Sequence, residues 1–368
     1  MKNLTYIFDI GSSKISLLAC KIYKGESKII TSINRAYDGF MDGEFFSREQ
    51  THQVVTSLLD EMHDCVGKPI DSVYVGVPSE FCACVCKRVT KNFVPARKIA
   101  SDEISTMFDG IDEFANRDEY IISSISPLQF NIDGVICQTL SSKNVSQFSM
   151  DCCYLLVKKQ FTTMFDKIFA EYGVKHVEYV STALAQGQFA IKQLDTTLNP
   201  IVVVDIGHIT TSVAVAKGEG LMMVSSFSLG GGHITADLMQ VNNLNYQDAD
   251  TIKRKVCLTV QTKKDERYIV YNNERKIKAL INITNDVVKA RIENIANVVD
   301  RILSSSSLLN GLPIYLTGDG VCNFRGAINV FEAVTNRKVH LLKSKLYNGE
   351  DKYQTSKIAL AKIVGDLV

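Results

Sequence analysis

The chain is predicted to be an α/β protein of two duplicated halves facing each other, with a smaller α+β unit inserted into the first half. Three observations predict this. The run Tyr6-Ile-Phe-Asp-Ile-Gly11, followed by Ser12-Ser-Lys14 and apolar residues to Leu18, is a strand entering a tight turn and returning as a second strand. The run Ile201-Val-Val-Val-Asp-Ile-Gly207, followed by Thr210, Thr211 and Val213 to Ala216, repeats it. Each unit then passes a short polar turn, Lys24-Gly-Glu26 or Lys217-Gly-Glu219, into a third strand. Alone, the second run reads equally well as an ordinary β-hairpin with a glycine turn. The repetition decides for two homologous halves, each offering a phosphate-binding turn.

The chemistry follows from the residue types. Gly11 and Gly207 allow positive φ and let backbone N–H groups approach a ligand closely. Such turns make anion-binding nests, and a carboxylate at the strand end, Asp9 or Asp205, can hold a hydrated Mg²⁺ beside phosphates. Gly230 and Gly231 open an amphipathic helix, and Pro313 to Gly320 is a strand running into a further glycine turn, Gly318-Asp319-Gly320.

Composition sets the bounds. The 368 residues leave room for two domains with proper cores. A net charge of +1 gives no global field that would select nucleic acid or acidic lipid. No apolar run approaches the roughly 18 residues of a membrane span, and Met1-Lys2-Asn3 leads into a strand broken by Asp9 rather than into a signal peptide. Ten cysteines without metal-ligand spacing point to a reducing cytoplasm. Cys82, Cys84 and Cys86 share one strand face; structural thiols are the reading, since a zinc site would need partners that this pattern lacks.

In chain order, residues 4–9, 14–23 and 28–37 read as a three-stranded meander. Val54, Val55, Leu58, Leu59, Met62 and Cys65 recur at helical spacing and predict a helix over Arg48–Val66. Ile70 to Val77 returns as a strand. The insert begins with a strand over Phe81–Val89, then a helix from Ser101 with Asp102 and Glu103 in its first turn. Strands over Glu119–Ser126, Gln129–Ile132, Gly134–Leu140 and Met150–Lys158 precede a helix over Lys159–Tyr172. A strand at Lys175–Tyr179 and a helix through Ala183, Leu184, Phe189 and Ile191 return to the first half, which ends at Asn199-Pro200. After the second glycine hairpin, Asp250 and Lys253 share a helical face, either as a contact to a ribose or as a solvated pair. Residues 257–282 read as strands with an Asn272-Asn273 turn in the most basic stretch of the chain, a solvated face or a partner site. A long helix over Thr284–Ser305 and a last helix over Ser356–Leu367 complete the pattern. The implied units are 1–83, 84–173 (insert), 174–198, 199–245, 246–305 (small subdomain) and 306–368.

This order of parts resembles FtsA, the bacterial actin-like protein that ties the division ring to the membrane. The matching motifs are Asp9-Ile-Gly-Ser-Ser-Lys14, Asp205-Ile-Gly with Thr210-Thr211, Gly230-Gly-Gly-His-Ile-Thr235, Asp248-Ala-Asp-Thr-Ile-Lys253 and Leu316-Thr-Gly-Asp-Gly320, together with the position of the insert. The resemblance implies an actin-like ATPase fold of two ribonuclease-H-like halves with ATP and Mg²⁺ in the cleft. The implied nucleotide contacts are Asp9, Gly11, Ser12, Ser13 and Lys14 in the first turn and Gly207, His208, Ile209, Thr210 and Thr211 in the second. Gly230, Gly231, Asp250, Lys253, Gly318, Asp319 and Gly320 complete the set, with Asp9 and Asp205 toward the metal; no catalytic residue is assigned. It also implies filaments built through the insert, docking of the FtsZ C-terminal peptide on the small subdomain, and a cytoplasmic location at the division site.

The departures from the family pattern shape the expectation. His208 and Ile209 stand where the family has two glycines, Ser212 where it has a carboxylate, Asp319 where it has glycine and Asp250 where it has Glu. A Cβ at such glycine positions limits backbone approach if positive φ is needed. The Val180–Gln188 segment is read as offering no Glu or Gln placed to position an attacking water, so ATP binding with slow hydrolysis is expected. A PilM-like adaptor of pilus assembly is the alternative on the same fold, and a sugar kinase or phosphatase a third. Against the kinase, no carboxylate base is placed to deprotonate a hydroxyl substrate. The terminal helix, with only Lys357 and Lys362 as cations, is expected to pack on the sheet and not to bind membrane directly.

Overall fold

The computed structural model describes residues 4–100, 103–104, 118–137, 144–196, 199–260, 263, 265–272, 275–344 and 353–368. The first half opens with β1 (Leu4–Ile10), β2 (Lys14–Tyr23) and β3 (Glu26–Ala36), then a short hairpin of β4 (Phe40–Met41) and β5 (Glu44–Phe45). Helix α1 (Arg48–Val66) has the predicted bounds because both ends are capped. The Ser47 side chain accepts from the Gln50 amide, and Gly67 takes the left-handed conformation at φ 68°. Strand β6 (Ser72–Val77) follows.

The insert is a four-stranded sheet of β7 (Cys82–Arg97), β8 (Tyr120–Ile132), β9 (Val135–Cys137) and β10 (Val145–Lys158), in the order β7-β10-β8-β9. Strand β7 runs well past Val89, since pairing with β10 carries its polar outer part. The two strands expected on either side of Pro127 are one strand with a register shift there, a bulge that accommodates a residue without an N–H. Of the helix expected from Ser101, Ser101 and Asp102 lie outside the described residues; Glu103 accepts from the Ala100 amide and the Arg97 guanidinium. Helix α2 (Lys159–Tyr172), β11 (His176–Ser181) and α3 (Thr182–Leu194) lead back to the first half.

The second half comprises β12 (Ile201–Ile206), β13 (Thr211–Lys217), β14 (Gly220–Phe227), α4 (Gly231–Asn242), α5 (Tyr246–Lys253), β15 (Arg267–Asn272), β16 (Arg275–Leu280), α6 (Ile281–Leu303), β17 (Ile314–Thr317), α7 (Ala327–Thr335), β18 (Val339–Leu341) and α8 (Ser356–Leu367). Among the described residues of the basic stretch, strand structure is confined to β15 and β16, and Asn273 of the expected turn lies outside the described residues.

The duplication is visible strand for strand. The first sheet has the order β11-β6-β1-β2-β3 and the second β18-β17-β12-β13-β14, read in the same sense. In each, a central strand pairs in parallel on one side and antiparallel on the other. The result is the actin-like fold, a five-layer sandwich. Tyr6, Phe8 and Ile10 face α1 and α2, while Ile7 and Leu18 face a central layer of α3 and α8. Ile201, Val203 and Ala214 meet that layer from the other side, and Val202, Val204 and Val213 face α4, α6 and α7. The terminal helix packs as expected: Ala359, Leu360, Ala361 and Val364 are buried between the sheets. No helix among the described residues is long and apolar enough to cross a membrane. All ten cysteines are free, and no metal-binding group of three or more His, Cys, Asp or Glu occurs among the described residues.

Candidate nucleotide cleft

The two Asp-Ile-Gly turns meet at the mouth of the sandwich. Each closes with the same backbone bond: Gly11 N–H to the Lys14 carbonyl at 3.0 Å, and Gly207 N–H to the Thr210 carbonyl at 2.9 Å. Each follows the same register, with Asp9 opposite Ser16 and Asp205 opposite Ser212. The turns touch directly, the Ile209 amide donating to Ser12 Oγ at 3.1 Å. Between them lies a cavity of about 630 Å³, the right size for a drug-sized or cofactor ligand.

The glycines act differently from the sequence expectation. Neither Gly11 nor Gly207 has positive φ, and neither do His208 and Ile209, so the two substituted positions carry no backbone strain. What Gly207 lacks is a Cβ, which would stand 3.1 Å from the Thr210 carbonyl and 3.6 Å from Ser12 Oγ. Positive φ is needed at Gly318, at 90°, where a side chain would collide with the Ile206 carbonyl and the Asp205 carboxylate. The second turn is held from behind by three amides, Gly231 to the Gly207 carbonyl at 2.9 Å, Gly232 to His208 at 2.7 Å and Gly320 to Ile206 at 2.9 Å. These N–H groups are thereby occupied. The Ser12, Ser13 and His208 amides have no backbone partner among the described residues and remain as donors.

Most of the sequence-nominated residues line this cavity: Asp9, Gly11, Ser12, Ser13, Lys14, Asp205, Gly207, His208, Thr210, Gly231, Asp250, Lys253, Gly318, Asp319 and Gly320. Three stand outside it. Ile209 contributes its amide to Ser12, Thr211 is buried and donates to the Leu229 carbonyl, and Gly230 packs against the second turn. Asp250 and Lys253 are no solvated pair. Lys253 is largely buried, its Nζ 2.7 Å from Asp250, 2.7 Å from Thr235 Oγ1 and 3.2 Å from the Gly231 carbonyl, so it pins α5 to α4. His208 is held by Tyr246, whose hydroxyl lies 3.0 Å from Nε2. Burial, and then the nearby Lys253 charge, push the His208 pKa down, so the ring is neutral at pH 7.

Sequence reasoning missed the far side of the cleft. Gln186, a buried polar residue on the apolar face of α3, donates from Nε2 to Asp205 at 2.6 Å and to Thr355 Oγ1 at 3.2 Å. The signal was present: Gln186 stands between Ala185 and Gly187 on a face that is otherwise apolar. Gln354 and Ser356, just before and at the start of α8, had no local signal. Ser356 donates to Asp9 at 2.7 Å, and Gln354 bridges Lys14 and Asp319 at 2.9 and 2.7 Å. Asp205 feels burial first, and then the charges of Asp9 and Asp319, against the Gln186 bond; its pKa rises to about 6. A pair of carboxylates without a third protein ligand suits a hydrated Mg²⁺ carried in with phosphates rather than a resident metal.

The family model described as "Cell division protein FtsA" matches residues 202–363. The chain is 21% identical to the Bacillus subtilis cell division protein FtsA over 345 residues, covering 90% of this chain and 77% of that one. It is 25% identical to the Porphyromonas gingivalis FtsA over 359 residues, covering 93% and 74%. In fold it is similar to the PilM-PilN type IV pilus biogenesis complex, with TM-score 0.63 and 15% identity over 100% of this chain and 99% of that chain. It is also similar to MreB 5 of Spiroplasma citri bound to AMPPNP, with TM-score 0.57 and 11% identity over 99% and 96%.

The raised Asp205 pKa has a definite sign. The folded chain keeps a proton that the unfolded chain has already lost, so stability falls as pH rises from about 4, the ordinary carboxylate value, to about 6. Asp205→Asn keeps an acceptor for Gln186 and removes the charge. We expect equal stability of variant and wild type at pH 4 and a gain on the order of 1–2 kcal/mol for the variant at pH 7, read from urea melts at both pH values.

Proposed function

The chain is an FtsA-like protein with the actin-like fold, and on that footing we propose that it is a nucleotide-dependent scaffold of cell division. It takes ATP with Mg²⁺ in the cleft, turns it over slowly at most, assembles with its own kind and recruits FtsZ. The observation that carries this reading is the pair of equivalent turns, each closed by the same backbone bond, facing each other across a cavity and joined by Ser12 and Ile209. The MreB 5 bound to AMPPNP shows a relative of this fold holding a nucleotide. The sequence relatives are FtsA proteins over most of the chain, whereas the likeness to PilM is one of fold, which favours the division reading over the pilus alternative.

In this proposal the free amides of Ser12, Ser13 and His208 hold phosphate oxygens. Asp9 and Asp205 orient the waters of a Mg²⁺, whose chemistry is to neutralise phosphate charge. Gln186 Nε2 is committed to Asp205 and Thr355 Oγ1, which fixes the side chain against the carboxylate, and turnover is proposed to be slow. Gly207→Val places methyl groups against Thr210 and Ser12. Calorimetric titration should show ATP affinity lost in this variant with the thermal melt retained; unchanged affinity would remove the turns from the site. Steady-state phosphate release by the wild type is expected well below the roughly 1–10³ per second of typical enzymes.

Assembly is proposed through the insert, which offers a heterologous contact that extends without closing. Deleting about residues 84–173 should leave nucleotide binding and remove filaments from electron micrographs; filaments of the shortened chain would refute the assignment.

FtsZ docking is proposed on the hairpin of β15 and β16. Its outer face presents Ile269 and Tyr271, 49% and 67% exposed, opposite Lys278 and Lys276. That pairing of apolar and cationic side chains suits a peptide with acidic and apolar residues. Tyr271→Ala with Lys276→Ala should weaken capture of an FtsZ C-terminal peptide at least tenfold in a pull-down and leave ATP affinity alone. Undiminished capture, or capture of a pilus-protein peptide instead, would count against it.

A further inference from the structure

Among the described residues, each cation lining the cleft already has an internal acceptor. Arg254 and Lys253 share Asp250, and Lys253 has Thr235 and the Gly231 carbonyl as well. Lys14, at the end of the first turn, is held by Gln354 Oε1 at 2.9 Å and by the Asp319 carboxylate at 3.9 Å. Gln354 in turn donates to Asp319 at 2.7 Å, which fixes both acceptors in place. The lining carboxylates Asp9, Asp205, Asp250 and Asp319 outnumber the lining cations Lys14, Lys253 and Arg254. Among the described residues, a polyphosphate entering this cleft therefore has to draw a cation away from an existing partner.

The geometry decides which one yields. Lys253 and Arg254 are both held tightly on Asp250, at 2.7 and 2.9 Å. The Lys253 side chain is 13% exposed with three acceptors around it, whereas the Lys14–Asp319 pair is long at 3.9 Å, with side chains 38% and 42% exposed. Exposed, loosely set pairs contribute little, so Lys14 is the cheaper cation to recruit. Lys14 also adjoins the free Ser12 and Ser13 amides, whereas Lys253 is turned toward α4.

We propose that Asp319 and Gln354 are an internal competitor of the phosphate groups of a nucleotide: they occupy Lys14 and lower nucleotide affinity until phosphate displaces them. This inference rests on the nucleotide reading of the cleft and adds its regulation.

The test is titration of ADP and ATP into wild type, Asp319→Asn, Gln354→Ala, Lys14→Ala and the Lys14→Ala/Asp319→Asn double variant, with thermal melts to confirm folding. Asp319→Asn keeps an acceptor for Gln354 and removes the charge. It should bind about three- to tenfold tighter than wild type, with Gln354→Ala tighter by a smaller factor. Most of the gain should vanish in the Lys14→Ala background, since competition for Lys14 and not bulk repulsion is its source. Equal or weaker binding by Asp319→Asn, or a gain that persists in full without Lys14, overturns the competitor. Absence of binding in every form overturns the nucleotide reading itself, and the competitor with it.

Discussion

The structure depends on how closely α3 and α8 pack between two β-sheets. Small residues make this approach possible. A Cβ on Gly187 would stand 2.6 Å from that of Ala216, and one on Gly76 would stand 2.6 Å from Leu360 Cδ1. Ala183, Ala190, Ala359 and Ala361 fill the same layer. Because the layer is thin, the two central strands end close together, and their polar turns have nowhere to go but toward each other. The cleft thus lies at the carboxyl ends of parallel strand pairs, where α/β sheets commonly bind ligands.

That closeness carries an electrostatic cost. Asp9, Asp205 and Asp319 gather within one cavity, and the chain answers with hydrogen bonds from Ser356, Gln186 and Gln354. Two of those donors arrive from the far end of the sequence. The charged side chains of the cleft are therefore already engaged, and a ligand has to exchange those partners while the Ser12, Ser13 and His208 amides stay open to it. Cleft residues of this chain that differ from the FtsA pattern bear on that exchange. Asp319 adds an acceptor for Lys14, and His208 is a neutral ring set against Tyr246.

Much of this was legible in the sequence. The duplicated strand-Asp-Ile-Gly runs identified both central hairpins, and the helical spacing of Val55, Leu58, Leu59 and Met62 placed α1, because local pattern and tertiary burial agree there. Pattern failed where long-range pairing overrode it, as in β7 beyond Val89 and in β8 across Pro127. It failed for glycine conformation too: Gly11 and Gly207 are glycine for want of room beside the Lys14 and Thr210 carbonyls that close their own turns, and not for positive φ. Gln354 and Ser356 are part of the cleft only because α8 threads back between the sheets, which no local signal encodes.

The central claim is that the two turns act together on one ligand. Hydrogen–deuterium exchange with and without Mg·ATP tests it most directly, since the amides of Ser12, Ser13 and His208 lack backbone partners in the empty cleft. The account predicts that residues 11–14 and 207–210 become protected together, at the same nucleotide concentration. Protection of one turn alone, or of neither at saturating nucleotide, would contradict it.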